Sequence, residues 1–152
     1  MRKILSILLV LILILGFMPI GAHATEASER QTVITFEDGS YIEVHLNEDS
    51  SRATNTKSGS KTYSYYDAND NLEWQAKLSA SFTYDGTTSS CSSASCTVTI
   101  YESQWYEVSK TTTRSGNTAT TELTMGQTFW GITIAKPEYT ITLTCDKDGN
   151  LS

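Results

Sequence analysis

From Leu72 to Tyr84 every even-numbered residue is apolar and every odd-numbered one polar. The apolar set is Leu72, Trp74, Ala76, Leu78, Ala80, Phe82 and Tyr84, and between them stand Glu73, Gln75, Lys77, Ser79, Ser81 and Thr83. Successive side chains of a strand point to opposite faces, so a period of two buries one face and wets the other. A helix would need apolar spacings of three and four, and no convincing stretch of that kind follows the first two dozen residues. The segment is long for one strand, which predicts a bulge, a kink or a bent pair of strands.

Other stretches repeat the logic. Tyr139, Ile141, Leu143 and Cys145 share one parity, with Thr140, Thr142 and Thr144 on the other. Cys96, Val98 and Ile100 form a further set, continued by Tyr106 and Val108 after the polar break at Glu102 and Gln104. Ala119-Thr121-Leu123-Met125 and Trp130-Ile132-Ile134 supply two more. Turn signals lie between them: Asp38-Gly39, Asp67–Asn71, Asp85-Gly86, Ser115-Gly116-Asn117 and Asp146–Asn150. About seven or eight strands at turn spacings of ~10–15 residues predict an all-β fold. The expected architecture is a single antiparallel β-sandwich, Ig-like in general architecture, with a barrel as second choice.

Residues 48–61 hold Ser, Thr, Asn and Gly but no large apolar side chain, and read as a loop or linker. The expected division is a leader over 1–24, an N-terminal hairpin and Ser/Thr-rich linker over 25–60, and the sandwich over 61–152. The hairpin would pack loosely or add to the edge of the main sheet.

The leader reading rests on Met1-Arg2-Lys3, an apolar run from Ile4 to Ile20, and the small-x-small sequence Ala22-His23-Ala24. An uncleaved anchor is the alternative, but the run is at the lower limit for a span and is broken near its end by Pro19 and Gly21. Cleavage after Ala24 removes Arg2 and Lys3 and moves the net charge from -6 to -8. Of the 128 residues that remain, 41 are Ser or Thr, which suits the wet faces of strands. This composition excludes a basic nucleic-acid binder, a multi-span membrane protein and a second full domain. The first cysteine is Cys91, so no lipid-bearing cysteine follows the leader. The expectation is a secreted, extracellular chain with no stable membrane anchor, an extracellular partner and no cofactor.

Three cysteines in an exported chain allow one disulfide and one remaining thiol. Parity favours Cys96 with Cys145, nearness favours Cys91 with Cys96, and Cys91 with Cys145 would tie the long loop to the C-terminus. Zinc would need more ligands than His45 offers beside them.

Several stretches together carry a resemblance: Lys61-Thr62-Tyr63-Ser64-Tyr65-Tyr66-Asp67, Phe82-Thr83-Tyr84-Asp85-Gly86, Ser115-Gly116-Asn117-Thr118-Ala119, Gly131-Ile132-Thr133, and Thr142 through Ser152. Over residues 61–152 the chain resembles small secreted proteins of Gram-positive, largely gut-dwelling anaerobic bacteria that have no assigned activity. The resemblance lies in strands and turns and brings no catalytic signature. It implies a Cys91–Cys145 disulfide, a pattern from which Cys96 departs.

Catalytic sets are missing from the sequence. His45 is the one histidine after the leader, in Glu43-Val44-His45-Leu46, where it reads as a solvent-side strand residue beside Glu43. There is no Gly-x-Ser-x-Gly elbow and no His-Glu-x-x-His. Glu73, Glu102, Glu107 and Glu122 lie in or beside strands, and nothing in the sequence marks two of them as a convergent pair. Asp146, Asp148 and Asn150 place oxygens at spacings that calcium accepts, as do Asp67, Asn69 and Asn71, but such residues are also what hairpin turns use. The aromatic candidates for a binding platform are Trp105 and Tyr101, against core packing for Trp105. The leading expectation is a non-catalytic secreted β-domain that binds an extracellular protein, glycan or envelope component. A bacteriocin-like or membrane-active effector is the alternative, opposed by the acidic charge.

Overall fold

The structure is a computed structural model that describes residues 30–49 and 55–152. The leader, its cleavage site and residues 50–54 of the expected linker lie outside these residues. Among the described residues nine strands follow one another: β1 (Arg30–Thr35), β2 (Tyr41–Glu48), β3 (Thr56–Tyr66), β4 (Leu72–Tyr84), β5 (Ser89–Ile100), β6 (Trp105–Ser115), β7 (Thr118–Phe129), β8 (Ile132–Ala135) and β9 (Glu138–Thr144). The first five form an antiparallel meander in chain order, β1-β2-β3-β4-β5. In the second sheet β6 pairs with β7, whose Thr118–Thr124 segment takes β9 and whose far end takes β8.

The two sheets stack without closing into a barrel, so the expected sandwich is the observed fold. Its five-stranded layer is a plain meander rather than a Greek key. The even-numbered face of β4 lies in the core: Trp74, Ala76, Leu78, Ala80 and Phe82 are all buried. They meet Ala119, Leu123 and Met125 from β7 and Ile141 and Leu143 from β9. The irregularity expected of so long a strand is a bulge at Glu73, which is skipped between Leu72 opposite Tyr66 and Trp74 opposite Tyr65. A second slip, between Ser81 and Phe82, leaves Ser92 of β5 as the extra residue.

Aromatic rings from distant parts of the chain converge at one end of this core. Trp74 stacks on Tyr65 at 5.4 Å, with Trp105 edge-on to both and Tyr139 tilted against Trp74 at 5.0 Å. Offset and edge-to-face geometries suit the quadrupoles of the rings and add to what burial contributes.

The structure departs from the sequence expectations in two places. Residues 56–61 are strand, not linker: β3 begins at Thr56, and Glu48 pairs with Gly59. The missing side chain of Gly59 leaves room for Leu151, whose Cδ1 would stand 2.4 Å from a Cβ built there. The C-terminus thus supplies the apolar contact that β3 lacks in its own sequence. The N-terminal hairpin adds to the edge of the main sheet, the second arrangement expected of it, with β2 paired to β3 along its whole length. Finally, Trp130, Ile132 and Ile134 are not core residues but stand 88%, 69% and 58% exposed at the β7–β8 hairpin.

The acidic turns are built alike. Asp146 Oδ1 accepts the backbone N–H groups of Asp148 and Asn150, and its Oδ2 accepts Asn150 Nδ2. Asp67 does the same for Asn69 and Asn71, and Asp85 for Thr87 and Thr88. Carboxylates turned inward on their own backbone are Asx turns. In the last of these turns the Asp146 carboxylate accepts, Asp148 and Asn150 donate, and the Asp148 carboxylate holds Lys147 at 2.8 Å.

Candidate functional site

The solvent face of the five-stranded sheet carries the polar parity of each strand. Register aligns His45, Thr62, Lys77 and Thr97 in one row across β2 to β5, and Glu43, Ser64, Gln75 and Thr99 in the next. Opposite residues of an antiparallel pair share a face, so these rows form one surface of hydroxyls, an amide, an imidazole, a carboxylate and an ammonium. All of them but Glu43 line a shallow groove of about 550 Å³, together with Asn47 and Tyr66.

Gln75 organises its floor. The amide Nε2 donates to Ser64 Oγ at 2.9 Å, and Oε1 accepts the Tyr101 hydroxyl at 3.2 Å. His45 and Glu43 lie 3.3 Å apart beside it. Lys77 is exposed in the middle of the groove, with no ion-pair partner among the described residues. At the Tyr66 end, Tyr41 and Tyr66 stack at 4.9 Å and 12°. The Tyr41 hydroxyl donates to Asp70, and desolvation first, then that bond, pushes its pKa up to about 12. Tyr101 is 51% exposed and leans over the same end.

Tyr101 and Trp105 do not form a shared platform. Trp105 is 5% exposed, packed edge-on against Trp74 and Tyr65, where no ligand can reach its face. Its indole Nε1 donates to Glu73 Oε2 at 2.7 Å, and Gln104 Nε2 donates to the same oxygen. Glu73, read from its parity as a wet-face residue, is buried because the crossover from β5 to β6 folds over it. The backbone N–H groups of Tyr101 and Glu102 both donate to its carbonyl. Burial pushes the Glu73 carboxyl above the ordinary carboxylate range, and the bonds from Trp105 and Gln104 offset part of that.

The three cysteines are free thiols, so the Cys91–Cys145 disulfide implied by the resemblance is not formed. The chain does carry both to the β6–β7 turn: Cys91 N donates to Gly116 O and Cys145 N to Asn117 O. Each thiol has a carbonyl acceptor instead of a sulfur partner, Ser93 O for Cys91 and Asp146 O for Cys145. Burial raises the pKa of all three thiols, which disfavours the reactive thiolate. Among the described residues no group of three His, Cys, Asp or Glu side chains could hold a metal ion.

The sequence reading overlooked the β7–β8 tip. Phe129 pairs with Ile132 across a two-residue turn, Trp130-Gly131, in which both φ angles are positive, 53° and 77°. Such a primed turn is usually marked by Asn-Gly or Asp-Gly, and Trp-Gly conceals it inside what reads as a continuous strand pattern. No known protein family, curated protein or solved structure matches this chain.

The turns and Glu73 make opposite contributions to acid stability. Hydrogen bonds from Asn71 hold Asp67 at about 2, and those from Ser40, Thr88 and Asn150 lower Asp38, Asp85 and Asp146. A depressed folded-state pKa contributes stability above the unfolded value, and that stability is lost as pH falls towards the folded value. The raised Glu73 works the other way: its protonation removes a burial penalty as pH falls. Tm is therefore expected to hold or rise slightly as pH drops to about 5, then fall steeply between about pH 4 and pH 2. Thermal unfolding followed by circular dichroism across that range checks this, and a Tm still rising at the acid end contradicts it.

Proposed function

We propose that this protein is an exported, non-catalytic β-sandwich that binds an extracellular glycan along the solvent face of its five-stranded sheet. The observation that carries the reading is the Gln75-centred groove. Hydroxyls, charged groups and the Gln75 amide stand there in two cross-strand rows, with Tyr66 and the exposed Tyr101 at one end. A polyhydroxylated ligand needs closely spaced donors and acceptors, and a tyrosine ring offers its apolar face to the C–H side of a sugar. A protein partner would call for a large apolar anchor at the centre of the contact, and the groove around Gln75 is lined by Lys77, Thr62, Ser64 and Thr99 instead. Export is supported by the leader-like Met1–Ala24 segment.

The test is retention of the protein on an array of bacterial and host glycans. Tyr101→Ala and Gln75→Ala are each expected to weaken retention about tenfold, the loss of one hydrogen-bonded or stacked contact. Thr140→Ala, on the other sheet, should leave it unchanged. If the wild-type chain retains no glycan, or if Tyr101→Ala and Gln75→Ala bind as well as wild type, the reading fails.

A further inference from the structure

The largest apolar exposure in the described residues is not in the groove but at the β7–β8 tip. Phe129, Trp130, Ile132 and Ile134 are 63%, 88%, 69% and 58% exposed. Phe129 and Ile132 are directly opposite in the register and share one face. Ile134 is the extra residue of a bulge, skipped between Thr133 opposite Thr128 and Ala135 opposite Gln127, where it too stands in solvent. Thr133 belongs to the other face, where its hydroxyl meets the Tyr106 hydroxyl at 2.9 Å. Trp130 sits at the apex, edge-on to Phe129 at 6.2 Å.

Two properties make this more than scattered surface apolarity. A bulky residue with positive φ is a conformational outlier, and Trp130 holds φ 53° where Asn or Gly would be unstrained. Such strain concentrates where function requires a side chain in a particular place. From Thr128 to Ala135 there is also no ionisable residue, and Lys136 is the first after the patch. Single exposed hydrophobes are ordinary, but four on one hairpin are a contiguous patch of the kind that marks an interaction site.

We infer that this tip is a lipid-docking element, which inserts Trp130, Phe129, Ile132 and Ile134 into the interfacial layer of an electrically neutral membrane surface. The patch is the convex end of a tight hairpin, so a folded partner would need a matching cavity, whereas a fluid interface closes around it. Four such side chains offer on the order of 500 Å², short of the roughly 800 Å² per partner that a stable protein interface uses. Tryptophan at the apex suits the headgroup level, where its ring is apolar and its N–H stays wet. The net charge of -6 disfavours an anionic surface, which selects neutral lipid. This inference does not depend on the glycan groove.

Trp130 itself provides the readout, because Trp74 and Trp105 are buried in the core. The full chain is mixed with phosphatidylcholine vesicles whose acyl chains are brominated near the headgroup. Up to about a third of the tryptophan emission, one indole of three, is expected to be quenched. The Trp130→Phe chain should show no such quenching. Ile132→Ser with Ile134→Ser should raise the vesicle concentration needed by at least ~10-fold. Emission from Trp130 that stays unquenched while the chain sediments with the vesicles overturns the inference. So does a blue shift that appears on raising protein concentration without lipid, which assigns the patch to a second copy. Stronger quenching by phosphatidylglycerol than by phosphatidylcholine vesicles overturns the choice of a neutral surface.

Discussion

Trp74→Ala is expected to destabilise the fold by about 3–5 kcal/mol, the largest effect of any single substitution considered. Trp74 is fully buried and in ring contact with Tyr65, Trp105 and Tyr139, which come from β3, β6 and β9. Truncation to alanine removes the transfer free energy of the indole and opens a cavity between the two sheets, which can collapse only in part. Domains of this size hold about 5–15 kcal/mol in all, so the variant should sit near the edge of folding. Trp74→Phe separates volume from polarity. The Trp74 Nε1 has no hydrogen-bond partner, so phenylalanine also removes a buried unsatisfied donor. Its cost is expected to stay below about 2 kcal/mol. Urea unfolding midpoints of the two variants decide this, and equal losses would mean that the ring phenylalanine retains recovers none of the packing.

Leu151→Ala is expected to cost about 2–4 kcal/mol. Leu151 is 1% exposed and is tied down on both sides. It forms a bridge with Cys145, and Thr144 and Ser152 exchange backbone hydrogen bonds at 2.9 and 3.0 Å. Its side chain fills the space above Gly59. A methyl group on Gly59 would meet Leu151 Cδ1 at 2.4 Å and the Asn47 carbonyl oxygen at 2.6 Å, so Gly59→Ala should also destabilise, by about 1–3 kcal/mol. The two losses should not add, because removing Leu151 relieves one of the two clashes. A double-mutant cycle in urea checks the coupling. Strict additivity would mean that the Asn47 carbonyl alone carries the Gly59 cost.

Much of the core was legible because β4 and β9 are regular. Along Leu72–Phe82 and Ile141–Cys145 the alternation is unbroken, and every even position of β4 from Trp74 to Phe82 and every odd position of β9 from Ile141 to Cys145 is buried. Where the pattern passes through a turn or slips register, parity loses its meaning. The register slip between Glu107 and Ser109 leaves Val108 42% exposed, although its parity continued that of a core strand. Trp130-Ile132-Ile134 failed for the same reason, since a two-residue turn was hidden in the alternation. Glu73 failed at a slip as well: it is the bulged residue between Leu72 and Trp74, and residues 101–104 of the same chain cover it there.

The candidate site divides in the same way. Tyr101, singled out from sequence, does reach the groove through Gln75, whereas Trp105 belongs to the core. The hydroxyl-rich positions of β3, β4 and β5 were legible as a wet face, but their alignment into rows required the register of four strands.

By itself the sequence determined the class of fold, the wet and dry parity of the long strands, and the positions of most turns. These follow from local stereochemistry: the alternation of side chains along an extended backbone, and the preference of Asp, Asn and Gly for tight turns. Only the tertiary structure decided which surfaces are covered. Burial depends on what the rest of the chain lays over a residue, so Leu151 over Gly59, the crossover over Glu73, and open solvent over Trp130 carry no local signature.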